Sequence, residues 1–314
     1  MSSGVNMLCF TASFGVALAL EVMGLWARPR WRRLAVVVAA LAGIVAQTWY
    51  LAERANASPW APLSSQHDWY LSAAWGLAIV YLALVLYQPR ASIGLFLLPI
   101  VLALIGAARF ASTEPMAGAE MPRIWGILHG VFLMLGTIAV LLGFVAGLMY
   151  LVQSARLKNK APLSERFRLP SLEWLERVNA RSLIAATILV GLGFVTGVLM
   201  RLALRDGSGL QWTDPVVISL SGMFSWLVAA EAFRLAYPAA RRGRKVAYLT
   251  LAGFVFLVIT LSTFMSSKSM HGRGGESAGA GPKTAGTSPA ARMQQSRSER
   301  AVGFIPTVQQ EVTP

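Results

Sequence analysis

The sequence is poor in charged residues, histidine and cysteine. Only 13% of its 314 residues are charged and 55% are hydrophobic, whereas soluble domains carry about a quarter charged residues. The single cysteine, Cys9, excludes an internal disulfide and any metal site built from several cysteines. The sequence also has no phosphate-binding glycine loop beside a lysine and no HExxH motif, which argues against a soluble type of kinase or hydrolase.

What the chain has instead is long apolar runs, with a mean hydropathy of +0.56. A chain that lies mostly in lipid is expected to carry few charges, because each charge is costly there. The net charge of +14 does not indicate a nucleic-acid partner, because the bases lie in short clusters between the apolar runs. The composition therefore predicts a multi-pass membrane protein.

Eight runs are long enough to cross about 30 Å of hydrocarbon as helices. They lie near Met7–Trp26, Leu34–Leu51, Trp69–Tyr87, Ile93–Phe110, Ile124–Val152, Leu183–Leu204, Pro215–Tyr237 and Val246–Phe264. No run has the alternation of a membrane β-barrel strand. The predicted fold is an all-α bundle of about eight transmembrane helices.

The basic residues predict the orientation of these helices. If the N-terminus lies outside, the cytoplasmic connections carry sixteen Lys or Arg residues and the outward connections carry five. Cytoplasmic loops are the ones enriched in Lys and Arg. We therefore expect an outside N-terminus and insertion in the inner (cytoplasmic) membrane.

After Phe264 the composition changes to Gly, Ser, Ala and Pro. Such a segment has little apolar surface to bury, which is typical of disorder. The predicted organisation is thus an integral membrane domain over residues 1–264 and a disordered polar tail over residues 265–314.

His129 interrupts the apolar stretch "WGILHGVFLMLG" near the outer end of the fifth predicted helix. Trp125 lies one turn earlier on the same helical face, and His67 lies in the outward loop "SSQHDWY". Two neutral imidazoles could bind a haem iron between aromatic rings. Alternatively, the tryptophans are interfacial anchors, His129 hydrogen-bonds a neighbouring helix and His67 is solvated.

Two stretches resemble the cytochrome c assembly membrane proteins, the CcsA, CcmC and HemX-like superfamily. Residues 125–158 are similar to the family helix that has a histidine at its outer end and closes with Gly-x-x-Tyr-Leu and a basic exit. Residues 211–258 look like the family's tryptophan-rich outer segment, the helix after it and the Gly-Arg turn into the last span.

The resemblance implies a protein that binds haem on its outer face and presents it for attachment to apocytochrome c. It implies His129 as the outer histidine, and it places Trp212 and Asp214 in the tryptophan-rich segment. The implied site is therefore His129 and His67 as iron ligands with Trp125, Trp212 and Asp214 beside the haem. The implied partners are membrane lipid, other cytochrome c assembly membrane proteins and apocytochrome c.

The chain departs from the family pattern at several positions. Only Trp212 and Trp226 remain of the repeated tryptophans, and Arg234 stands where a histidine is expected. An accessory, haem-handling member therefore fits better than a complete haem lyase. The alternatives are a HemX-like regulatory or scaffolding protein without stable haem and, with least support, a small-solute permease that would depend on Glu21 or Glu231.

Overall fold

The structure, a computed structural model, describes residues 7–27, 29–57, 65–89, 91–113, 123–159, 167–203, 214–236 and 244–278. It divides the chain into two units, residues 1–268 and 269–314, and the contacts described below lie within the first. The described residues form helices and contain no strand. The helices are α1 (Met7–Met23), α2 (Arg30–Ala57), α3 (Gln66–Tyr87), α4 (Gly94–Phe110), α5 (Arg123–Lys158), α6 (Leu172–Ala203), α7 (Pro215–Ala236) and α8 (Arg244–Ala278).

The prediction of an all-α membrane bundle is confirmed. Six of the helices are long and apolar enough to cross a membrane, and the other two, α1 and α4, are apolar helices of 17 residues. At 1.5 Å per residue, 17 residues extend about 26 Å, which is close to the thickness of the hydrocarbon layer.

Several helices extend beyond the predicted spans. α6 begins at Leu172 rather than Leu183, and α8 continues past Phe264 to Ala278. Hydropathy detects only the part of a helix that lies in lipid. Outside the lipid, polar residues can continue the helix, because water is available to them. The predicted tail therefore begins with helix, residues 279–314 lie outside the described residues, and disorder there stays a prediction.

Contacts between helix ends show that successive helices run in opposite directions. At one end, the start of α3 meets the end of α4 and the Phe264 level of α8, because His67 bonds the carbonyl of Ala108 and Gln66 donates to the carbonyl of Phe264 at 2.5 Å. We call this the histidine end. At the opposite, basic end, Glu21 of α1 pairs with Arg32 of α2.

Small residues allow α5 to pack closely in the middle of the bundle. A Cβ on Gly143 would lie 3.3 Å from Ser182 of α6, and one on Gly147 would lie 2.7 Å from the hydroxyl of Thr250 of α8. Two small residues four apart in a membrane helix, as Gly143 and Gly147 are, are typical of such close contacts. Gly126 and Gly130 have the same spacing, but Gly126 has open space around it.

Candidate functional site

His129 lies on α5 at the histidine end, six residues after the helix begins and thus about 9 Å along it. Its Nδ1 lies 2.8 Å from the carbonyl oxygen of Gly193 on α6. Because a carbonyl oxygen can only accept a hydrogen bond, Nδ1 must carry the proton. In the neutral ring, Nε2 is then the nitrogen with the free lone pair.

Thr196 of α6 is the second group beside this nitrogen. Its hydroxyl donates to the carbonyl oxygens of Leu192 and Gly193, each at 2.9 Å, and its oxygen lies 3.4 Å from Nδ1 of His129. Since the hydroxyl proton points to the backbone, the oxygen can only accept from the imidazole. Both neighbours of Nδ1 therefore favour the same tautomer.

The local sequence of α6 explains why the imidazole can come so close. The stretch "GFVTG", residues 193–197, has no side chain at its first and last positions. A Cβ on Gly197 would lie 2.9 Å from Cε1 of His129, which is closer than carbon atoms pack. The glycine thus leaves the space that the ring occupies.

The other side of the ring is more open. His129 is half-buried, and within the described part of the chain no group hydrogen-bonds to its Nε2. Trp125, one turn earlier on α5, is exposed, as are Ile124 and Leu128. His129 thus lies near one end of the bundle, on a helix segment whose neighbouring apolar and aromatic side chains are exposed.

His67 has a different environment from the one expected. It lies in the first turn of α3, which Ser65 caps, and is buried rather than solvated in a loop. Its Nδ1 lies 2.7 Å from the carbonyl oxygen of Ala108, and its Nε2 lies 3.4 Å from the hydroxyl of Tyr50. Both ring nitrogens therefore have protein partners.

The residues beside His67 bind the neighbouring helices. Asp68 accepts a hydrogen bond from Arg54 of α2, and Tyr70 donates one to the carbonyl of Leu261 on α8. Five consecutive residues, Gln66 to Tyr70, are buried. This turn of α3 joins α2, α4 and α8, and sequence patterns did not reveal it because each partner is distant along the chain.

Asp214 caps the start of α7. Its carboxylate accepts a 2.7 Å hydrogen bond from the backbone N–H of Val216, and Pro215 is the first residue of the helix. Aspartate at the cap followed by proline is a favoured helix start. Trp212 lies outside the described residues, so the arrangement of the tryptophan-rich segment stays a prediction.

The structure does not join the two predicted iron ligands. His129 bonds to α6, whereas His67 bonds to α2 and α4, and among the described residues no hydrogen bond or ring contact links the two imidazoles. The described residues also contain no group of three or more His, Cys, Asp or Glu side chains that could hold a metal ion. Among the described residues, an iron site at His129 therefore has one candidate protein ligand, His129 itself.

The acidic residues of a possible permease path are paired. Glu21 accepts hydrogen bonds from Arg32 at 3.2 Å and from Tyr81 at 3.4 Å. Glu231 binds Arg234, three residues later on the same helix, a spacing that permits an ion pair. Paired carboxylates tie helices and helix turns together, so these contacts give no support to a solute path.

Comparison with known proteins identifies the chain's family. A family model described as Cytochrome C assembly protein matches residues 66–271, which is more than half of the chain. No curated protein and no solved structure matches the sequence significantly. The match begins in the first turn of α3 and ends in α8, so it includes both stretches that suggested the resemblance. The chain therefore belongs to the cytochrome c assembly protein family, and it is a multi-pass membrane protein of cytochrome c biogenesis.

Proposed function

We propose that this protein handles haem on the extracytoplasmic face of the cell (inner) membrane, and that His129 would be a ligand of the iron. The observation that carries the proposal is the hydrogen bond from Nδ1 of His129 to the carbonyl of Gly193. Histidines that bind metals characteristically donate their other ring N–H to a carbonyl or carboxylate. The unprotonated Nε2 of His129 is the nitrogen such a ligand needs.

The surroundings of His129 also suit haem. The macrocycle is flat and apolar, and the exposed ring of Trp125 lies one helical turn from the histidine. When bound, haem would supply an iron that can take an imidazole nitrogen as a ligand. In our proposal Trp125, Trp212 and Asp214 belong to the same surface, with the aromatic rings flanking the haem and Asp214 holding the start of α7.

The protein's own contribution is binding and presentation rather than acid–base catalysis. His129 would hold the iron, and apocytochrome c and other assembly membrane proteins are the proposed partners that would receive the haem. We do not propose His67 as an iron ligand, because both of its ring nitrogens already have protein partners. The proposal thus fits an accessory assembly factor better than a lyase with two histidine ligands.

The test is haem titration of the full chain purified in detergent, followed by the Soret band. We expect the wild type to bind haem and His129→Ala to lose affinity by at least roughly tenfold, because the axial bond is lost. His129→Gly should recover part of the band when imidazole is added, since free imidazole can occupy the vacated position.

The other two histidines provide matched variants. His271→Ala removes a histidine from the second unit and should leave the band unchanged. His67→Ala tests the other predicted ligand. A shift of the Soret band in this variant would indicate that His67 also binds the iron. If the wild type binds no haem, or if His129→Ala binds it as the wild type does, the proposal is wrong, and the first result favours the HemX-like scaffold.

A further inference from the structure

We propose that Gly197 of α6 is a positioning residue for His129: because it has no side chain, the imidazole can lie against α6 with Nδ1–H bonded to Gly193, which leaves Nε2 unprotonated. The role of Gly197 toward haem rests on the proposed function. The position of the His129 ring beside Gly197 rests only on contacts within the chain. Neither the composition nor the family resemblance assigns a role to Gly197.

The first step is the position of the ring. His129 is on α5 and its acceptor, Gly193, is 64 residues away on α6. The bond of 2.8 Å requires the two helices to approach closely at this level. A second atom of the same ring, Cε1, faces Gly197, one helical turn beyond Gly193.

The second step is the effect of a side chain at Gly197. A Cβ would lie 2.9 Å from Cε1 of His129 and 3.3 Å from Nδ1. Carbon atoms pack best at about 3.5–4.0 Å, so the ring would have to move away from α6 by several tenths of an ångström. That movement lengthens the bond from Nδ1 to Gly193, which is the contact that selects the tautomer.

The third step is the consequence for a ligand. A ring N–H held by a carbonyl fixes the orientation of an imidazole and raises its basicity toward a metal. If the ring is released, the proton can move to Nε2, and the lone pair is then lost from the nitrogen that should bind iron. Gly197 would thus act on haem through His129, without touching the haem itself.

The chain offers a matched control on the same helix. A Cβ on Gly191 would also meet a ring at 2.9 Å, but that ring is Phe224 of α7. Gly191→Ala and Gly197→Ala therefore each add a methyl group to α6 at the same distance from a ring of a neighbouring helix. Only the second is directed at the imidazole.

The experiment is nitrogen-15 NMR of the full chain, labelled at its histidines, free of haem and purified in detergent. The spectra are recorded at a pH at which the imidazoles are neutral. Only three histidines contribute signals, and His67→Ala and His129→Ala assign them. We expect wild-type His129 to show a protonated Nδ1 and an unprotonated Nε2, Gly191→Ala to preserve this pattern, and Gly197→Ala to divide it between the two tautomers. Haem affinity should fall about tenfold in Gly197→Ala alone.

Two results would overturn the inference: a wild-type His129 protonated on Nε2, or a Gly197→Ala spectrum identical to that of Gly191→Ala. The first result is measured on the wild type, so the inference can be overturned even if Gly197→Ala does not fold. Loss of the tautomer pattern in Gly197→Ala, combined with a wild type that binds no haem, would uphold the positioning and refute the proposed function.

Discussion

Asp68 of α3 accepts a 2.5 Å hydrogen bond from Nε of Arg54 on α2. This ion pair crosses the boundary of the family match, because the match begins at Gln66 and α2 precedes it. Gln47 of α2 makes a second connection across the same boundary, donating to the carbonyl of Leu71 at 3.0 Å. The first two helices are thus bonded to the family's own helices and do not form a separate anchor.

We expect Arg54→Ala to destabilise the protein by about 1–3 kcal/mol. Breaking a fully buried pair costs about 3–5 kcal/mol, but solvent screens this one in part, since 31% of the Arg54 side chain is exposed while only 3% of Asp68 is. Thermal unfolding in detergent is the measurement. Arg177→Ala, which breaks the exposed pair with Glu173, is the control and should change little.

A glycine at the basic end gives a second prediction. A Cβ on Gly94 would lie 2.8 Å from the side chain of Glu21 and 3.0 Å from the ring of Tyr81. Gly94→Ala should therefore lower stability by about 1–3 kcal/mol, the usual cost of overpacking. On the same helix, Gly106 has open space, and Gly106→Ala should be neutral or stabilising by up to about 1 kcal/mol, the helix preference of alanine over glycine. Equal effects of the two substitutions would contradict this account of α4.

We predict that His67 stabilises the fold. His67→Ala leaves a buried space and removes the hydrogen bonds to Ala108 and Tyr50, so we expect a loss of about 1–3 kcal/mol in the free energy of unfolding. The conservative variant His67→Gln, which keeps a donor and an acceptor, should recover part of the loss. Unfolding midpoints of the two variants, measured beside their haem spectra, separate a structural role from ligation.

The orientation of the bundle can be tested with single cysteines. Thr113 is exposed at the histidine end, and Asn159 is exposed at the basic end. In a Cys9→Ser background, a membrane-impermeant maleimide applied to sealed right-side-out vesicles should label Thr113→Cys and reach Asn159→Cys only after the vesicles are opened. The reverse labelling pattern would place the histidine end in the cytoplasm and overturn the proposed site.

Much of the fold could be predicted because it depends on local composition. An apolar run of about 20 residues must form a helix in lipid, where the backbone has no water to bond. The predicted start of the seventh span, Pro215, is also the first residue of α7, because the apolar run and the helix begin together there. Helix ends such as Leu172 were missed, because polar residues extend a helix without any hydropathy signal.

The site was less predictable. The pattern of α5 singled out His129 but could not tell which of its nitrogens is engaged. The sequence placed His67 in an outward loop, as an iron ligand or a solvated residue, whereas the structure has it buried in the first turn of α3. Gly193, Thr196 and Gly197 were not identified as site residues, because small residues in a membrane helix indicate close packing without naming the partner.

The amino-acid order alone determined that this is a membrane protein with eight helical segments, and it carried the motifs of the cytochrome c assembly family. These properties follow from the polarity of neighbouring residues. Only the folded chain decided that the imidazole of α5 bonds a carbonyl of α6 while that of α3 is enclosed by α2 and α4. The chemistry of an imidazole depends on the atoms around its two nitrogens, and here those atoms come from helices that only the tertiary packing brings together.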